Sequence, residues 1–152
     1  MIQAHETLMA VEDEDDDVVL LQRAFRNASV ANPTQYLRDG EGAIKYLSRQ
    51  GEFADEQKYP LPSLILLDLK LPRKTGLEVL AWVRGQPVLR RIPIVILSNS
   101  KQNNDLERAY DLGANSYLVK PVEFVDLQAM IVELKLYWMV LNESPAQQHL
   151  PD

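Results

Sequence analysis

Cysteine is absent from the chain, so disulfides, thiolate metal sites and cysteine nucleophiles are all excluded. Histidine is nearly absent. His5 and His149 stand near opposite ends of 152 residues, a poor start for a histidine-based triad or a multi-histidine metal site. No run of about 20 apolar residues occurs anywhere, and residues 1–10 have neither a basic start nor a long apolar stretch. Neither secretion nor membrane spanning is indicated, so the reading is a cytoplasmic protein without a membrane partner. Basic residues are also sparse, 16 Lys and Arg against 22 Asp and Glu, and they form no dense stripe. Nucleic acid, which needs many phosphate contacts, is therefore not an expected partner.

What is present is a sequence rich enough in apolar residues, at 46%, to bury the core of one domain. The net charge of −6 is concentrated at the start: residues 1–17 hold seven acids and no base, so the remainder carries +1. Short apolar runs alternate with longer amphipathic segments. Strands are predicted at Leu8–Val11, Thr34–Leu37, Leu64–Leu67, residues 92–97 and Ser116–Val119. Between them helical spacing recurs, with Asp15, Asp16 and Asp17 as caps and dipole-matched first-turn acids of the first helix, Asp39-Gly40 opening the second and Thr75 or Gly76 the third. A fourth helix over residues 104–112 stops at Gly113, and a long last helix covers residues 122–141. The expected fold is α/β: a doubly wound, five-stranded parallel sheet in the order 2-1-3-4-5 with five helices, flavodoxin-like. Residues 1–143 read as one domain, and 144–152, with two prolines, as a flexible tail.

In such sheets ligands gather beyond the carboxyl ends of the strands, at the switch point in strand order. Strand one ends at Glu12-Asp13, strand three at Asp68, strand four at Ser98 and strand five at Lys120-Pro121. Three carboxylates brought together repel one another unless something positive joins them. A hard divalent cation suits oxygen ligands and shares them with phosphate, which points to Mg²⁺, with Mn²⁺ or Ca²⁺ as substitutes. Lys120 supplies a second cation, and Ser98 a hydrogen bond to a phosphoryl oxygen. With Asp68 as nucleophile the set reads as a phosphoryl-accepting site. The remaining acids, Glu14 to Asp17, read as a solvated face with capping duties.

These landmarks resemble the receiver domains of two-component response regulators, the CheY-like family. The match lies in Val11-Glu12-Asp13, the stretch LLDLKLP around Asp68, Gly76, Ile96-Leu97-Ser98 and Tyr117-Leu118-Val119-Lys120-Pro121. The resemblance implies that Asp68 takes phosphate from a sensor histidine kinase. It implies that Asp13 and Asp68 hold the metal with the main-chain carbonyl of Lys70, and that Glu12 acts through metal-bound water. It further implies that Ser98 and Lys120 hold the phosphoryl oxygens, that Ser98 and Tyr117 form the switch, and that Lys120-Pro121 is a cis peptide. Within the family the opening VEDEDDD, the stretch LLDLKLPRKTGLEVL and the Tyr137-Trp138 ending resemble stand-alone regulators of cyanobacterial phytochromes, implying a phytochrome-type kinase as donor.

Two other functions fit the same architecture less well. A metal-dependent phosphohydrolase of the haloacid-dehalogenase kind wants an Asp two residues after its nucleophile, where this chain has Lys70. A nucleotide or flavin module wants a glycine-rich loop after strand one, and none is there. A receiver-fold scaffold that is never phosphorylated would not need Asp13, Asp68 and Lys120 together.

The last helix is too apolar for a solvated element. One face, Phe124, Leu127, Ile131, Leu134 and Trp138, suffices to cover the sheet. Val125, Val132, Leu136, Met139 and Val140 remain on other faces, and the expectation is a symmetric homodimer through them.

Overall fold

A computed structural model describes residues 1–145, so all but the start of the expected tail lies outside the described residues. Five parallel strands, β1 (Leu8–Val11), β2 (Thr34–Leu37), β3 (Leu64–Leu67), β4 (Ile94–Ser98) and β5 (Ser116–Val119), form one sheet in the order β2-β1-β3-β4-β5. Helices α1 (Asp15–Asn27), α2 (Gly40–Leu47), α3 (Gly76–Arg84), α4 (Asn103–Asp111) and α5 (Phe124–Leu134) make the crossovers and cover the sheet.

Side chains alternate across each strand, and both faces of the sheet are covered. Met9, Val11, Ile65, Leu67, Ile94 and Ile96 meet Ala43 and Leu47 of α2, Leu80 and Val83 of α3 and Ala109 of α4. Leu8, Ala10, Leu64, Leu66, Val95 and Leu97 meet Leu21 and Phe25 of α1 and Leu127 and Ile131 of α5. The central strands β1, β3 and β4 are buried at every position, whereas β2 is half-buried throughout, as an edge strand should be. In register, Val11 stands beside Leu67 and Leu67 beside Ile96, so β1 and β3 end level while β4 runs two residues further, to Ser98.

Several boundaries differ from the sequence expectation for identifiable reasons. β4 starts at Ile94 because Pro93 has no N–H for the ladder; its carbonyl still accepts from Ile65. The N-cap of α1 is Glu14, which makes no side-chain cap bond, and Asp15, Asp16 and Asp17 occupy the first turn, where their charges match the helix dipole. Asp39 and Thr75 do cap α2 and α3, accepting from the N–H groups of Gly42 and Glu78. Gly113 follows α4 with φ of 102°, the left-handed conformation that ends a helix.

The last helix begins at Phe124, leaving Val122 fully exposed, and its α geometry stops at Leu134. From Lys135 to Leu141 it widens to π geometry. The wide turn is held from outside: Lys135 Nζ donates to the carbonyls of Ala28 and Ser29 at the end of α1, and the Trp138 carbonyl accepts from Ile2 N–H. Trp138 stays in the core, as its spacing predicts, and in the wide turn Met139 packs partly into the core beside it. Met139 is thereby removed from the outward set, which keeps Val125, Val132, Leu136 and Val140 and gains Tyr137 and Leu141.

Candidate functional site

The carboxyl ends of β1, β3 and β4 deliver Glu12, Asp68 and Ser98 to one edge of the sheet, and the end of β5 delivers Lys120. The Asp68 N–H donates to the Val11 carbonyl and the Glu12 N–H to the Leu37 carbonyl, so both acids continue the sheet ladder beyond its last strand residues. Glu12 is 2% exposed and Asp68 7%, and Asp13 is half-buried beside them. One carboxylate oxygen from each of Glu12, Asp13 and Asp68 can be chosen so that all three lie within 4.8 Å of one another.

Lys120 closes the cluster. Its ammonium donates to Glu12, to Asp68 Oδ2 at 2.9 Å and to Asp17 Oδ2 at 3.1 Å. The Lys120 N–H is in turn fixed to the Ser98 carbonyl at 2.8 Å. Burial by itself would discharge the lysine, but hydrogen bonds to Glu12 and Asp68 outweigh it and hold the ammonium well above its ordinary range. Glu12 behaves oppositely. Burial pushes its carboxyl up to about 7, against the opposing pull of Lys120 and of the Glu14 N–H. One ammonium among four carboxylates leaves an excess of negative charge, and a divalent cation with oxygen ligands fits that deficit.

Backbone contacts hold the loop after β3 in place. Lys70 N–H donates to Asp68 Oδ1 at 3.3 Å, which sets the Lys70 backbone beside the carboxylate while its side chain points to solvent. Gly76 N–H donates to the Leu69 carbonyl at 2.8 Å. No acid occupies position 70 to serve as the general acid of a phosphohydrolase.

Ser98 is 1% exposed, and its Oγ accepts from Ser100 N–H at 3.3 Å. Tyr117 points inward, 9% exposed, and its hydroxyl donates to the Ser100 carbonyl at 2.9 Å. The Lys120–Pro121 bond is not cis: no cis peptide occurs among the described residues. The trans isomer is the intrinsically favoured one by about 0.5–1 kcal/mol, and from it Lys120 already reaches Glu12, Asp17 and Asp68. Asp17 is the site residue that sequence reasoning left on a solvated face. Its signal was its place four residues after Asp13, in the first turn of the helix that leaves the site.

The model of the response regulator receiver domain matches residues 8–132. The chain belongs to the response regulator receiver family. This receiver is 41% identical over 138 residues to a protein described as the probable methanogenesis regulatory protein FilR2 of Methanothrix harundinacea, covering 91% of this chain and 86% of the relative. It is 37% identical over 139 residues to the response regulator Rcp1 of Synechocystis, covering 91% and 92%. Among solved structures, the receiver is similar to the phosphorylated cyanobacterial phytochrome response regulator RcpA, at a TM-score of 0.87 and 37% identity over 93% of this chain and 99% of that one. It is also similar to the Mn²⁺-bound form of Rcp1, at a TM-score of 0.84 and 37% identity over the same shares. The expected order of a CheY-like receiver, 2-1-3-4-5, is the order observed.

Proposed function

We propose that this receiver is switched by phosphorylation of Asp68. The observation that carries the reading is the Lys120 ammonium bonded at once to Glu12 and Asp68, at the edge of a three-carboxylate cluster. A carboxylate oxygen of Asp68 attacks phosphorus, the P–N bond of a phosphohistidine or the P–O bond of an acyl phosphate breaks, and the leaving group departs with the bonding pair. Lys120 then moves from neutralising Asp68 to pairing with a phosphoryl oxygen, and the Ser98 O–H donates to another.

The oxygen-only donor set of Glu12, Asp13 and Asp68 supports Mg²⁺ as the resident ion, with the Lys70 carbonyl as a further ligand and Glu12 acting through water. When bound, it supplies positive charge opposite Lys120. Tyr117 completes the switch with Ser98, since its hydroxyl reads the loop that follows Ser98.

The donor we assign is a sensor histidine kinase of the phytochrome type, in the cytoplasm. The support is similarity to Rcp1 and to the phytochrome response regulator RcpA over nine-tenths of the chain. Residues 1–143 act as one receiver unit, and the outward row Val125, Val132, Leu136 and Val140, each about half exposed or more, forms a homodimer interface. Incubation with acetyl phosphate and Mg²⁺ tests the central step. Intact mass should rise by one phosphoryl group in the wild type and stay constant in Asp68→Asn; an equal rise in both would place the acceptor elsewhere.

A further inference from the structure

The β4–α4 connection places one residue, Ser100, in hydrogen-bond contact with Ser98, with Tyr117 and with the start of α4. Ser100 is 7% exposed and all its polar groups are used. Its N–H donates to Ser98 Oγ at 3.3 Å, its carbonyl accepts from the Tyr117 hydroxyl at 2.9 Å, and its own hydroxyl donates to Asp105 Oδ2 at 2.5 Å while accepting from Gln102 N–H at 3.3 Å. Asp105 lies in the first turn of α4, whose N-cap, Gln102, makes no side-chain cap bond. Ser100 therefore ties the N-cap residue and the first-turn side chain of α4 to the β4–α4 connection, and its own N–H is bonded to Ser98.

We propose that Ser100 and Asp105 are positioning residues acting through Ser98, the link by which a phosphoryl group on Asp68 is felt at α4. The inference rests on Asp68 being the acceptor. Ser98 Oγ has its acceptor side engaged by Ser100 N–H, which leaves its O–H to donate to a phosphoryl oxygen. Donation polarises the Ser98 oxygen and strengthens the bond from Ser100, since hydrogen bonds in a chain reinforce one another. Ser100 is then held more tightly between Ser98 and Asp105, and the first turn of α4 with it. Coupling of this kind is reciprocal, so breaking the Asp105 end weakens the hold on the phosphoryl group by the same factor that it relaxes α4. Arg84, a half-buried polar hub, ties α3 to the β5 approach through the carbonyls of Arg90, Ile92 and Gly113 and through Asn115, and none of these partners belongs to the site.

The test uses the full chain with Mg²⁺ and beryllofluoride as a phosphoryl stand-in, with hydrogen exchange read over residues 98–106. In the wild type, exchange of the Ser100 and Gln102 amides should slow by up to about tenfold, the upper end for one hydrogen bond between uncharged groups. Ser100→Ala should lose the slowing at the residue 102 amide, whose acceptor it removes, and bind beryllofluoride about tenfold more weakly, and Ser100→Thr, which keeps the hydroxyl, should restore both. Asp105→Ala, at a half-exposed position, should reproduce the Ser100→Ala result if the latter folds poorly. Intact mass after acetyl phosphate is measured in parallel. No mass gain in the wild type overturns the acceptor reading itself. Normal mass gain together with an undiminished exchange response in Ser100→Ala and Asp105→Ala overturns the link alone.

Discussion

Gly76 lies directly under the backbone of Asp68: a Cβ on Gly76 would stand 2.0 Å from the Asp68 carbonyl oxygen and 2.7 Å from the Leu69 Cα. The start of α3 thus packs against the acceptor loop with no side chain between. Both obstructing atoms are backbone, so Gly76→Ala cannot be relieved by a rotamer change. The expected cost is about 1–3 kcal/mol, as for other overpacking substitutions, together with slower phosphorylation because Asp68 is displaced. Urea unfolding and the rate of mass gain with acetyl phosphate measure the two effects; a variant equal to wild type in both would show that the loop can yield.

Asp13 contributes a charge to a cluster already short of cations. Asp13→Ala should weaken Mg²⁺ binding and slow phosphorylation, yet raise the melting temperature of the metal-free protein, because Glu12 and Asp68 then repel one carboxylate fewer. With Mg²⁺ added, the wild type should gain stability with rising concentration and the variant much less. Thermal melts with and without the ion decide it. A metal-free variant that melts below wild type would contradict the crowding argument.

Tyr46 sets a limit at alkaline pH. It is fully buried, its hydroxyl donates to the Pro60 carbonyl at 2.7 Å, and burial pushes its phenol up to about 12. The unfolded chain gives up this proton near pH 10 and the folded chain near 12. The stabilisation is therefore complete below pH 10 and lost as pH rises from 10 to 12, on the order of 2–3 kcal/mol. Half-buried Tyr36, raised to about 12 mainly by burial, adds a dependence of the same sign. Tyr46→Phe should be less stable at neutral pH by about 1 kcal/mol for the lost hydrogen bond, and less steep above pH 10. Urea midpoints at pH 8 and pH 11.5 give the comparison, and an unchanged steepness would assign the alkaline loss elsewhere.

Leu136 and Val140 stand half exposed on the π-helical end of the last helix. If they form the centre of a two-fold interface, Leu136→Glu/Val140→Glu should sediment as a monomer where wild type sediments as a dimer. Tens of micromolar, roughly the weak end of specific self-association, is a sufficient concentration. A monomeric wild type there would leave this face to another partner.

Much of this receiver was legible along the chain because its governing signals are local. Continuous apolar runs such as Leu64–Leu67 mark strands covered on both faces, and acids or hydroxyls at their ends mark the edge where ligands collect. Asp68, Glu12, Asp13, Ser98 and Lys120 could be named on those grounds before any contact was known. The tertiary structure decided what depends on distance in space. Lys120 reaches Asp68 across 52 positions and Glu12 across 108, and only that reach shows that Asp17 shares the ammonium. It also decided the isomer before Pro121, because the intrinsic preference at such a bond is too small to settle it without surroundings. The same holds for Met139, which helical spacing puts outside and which packs partly into the core in the π turn, where Lys135 and the Trp138 carbonyl bond across to other elements. Periodicity carries the pattern of a single element; where two elements bond to each other, the outcome belongs to the packing.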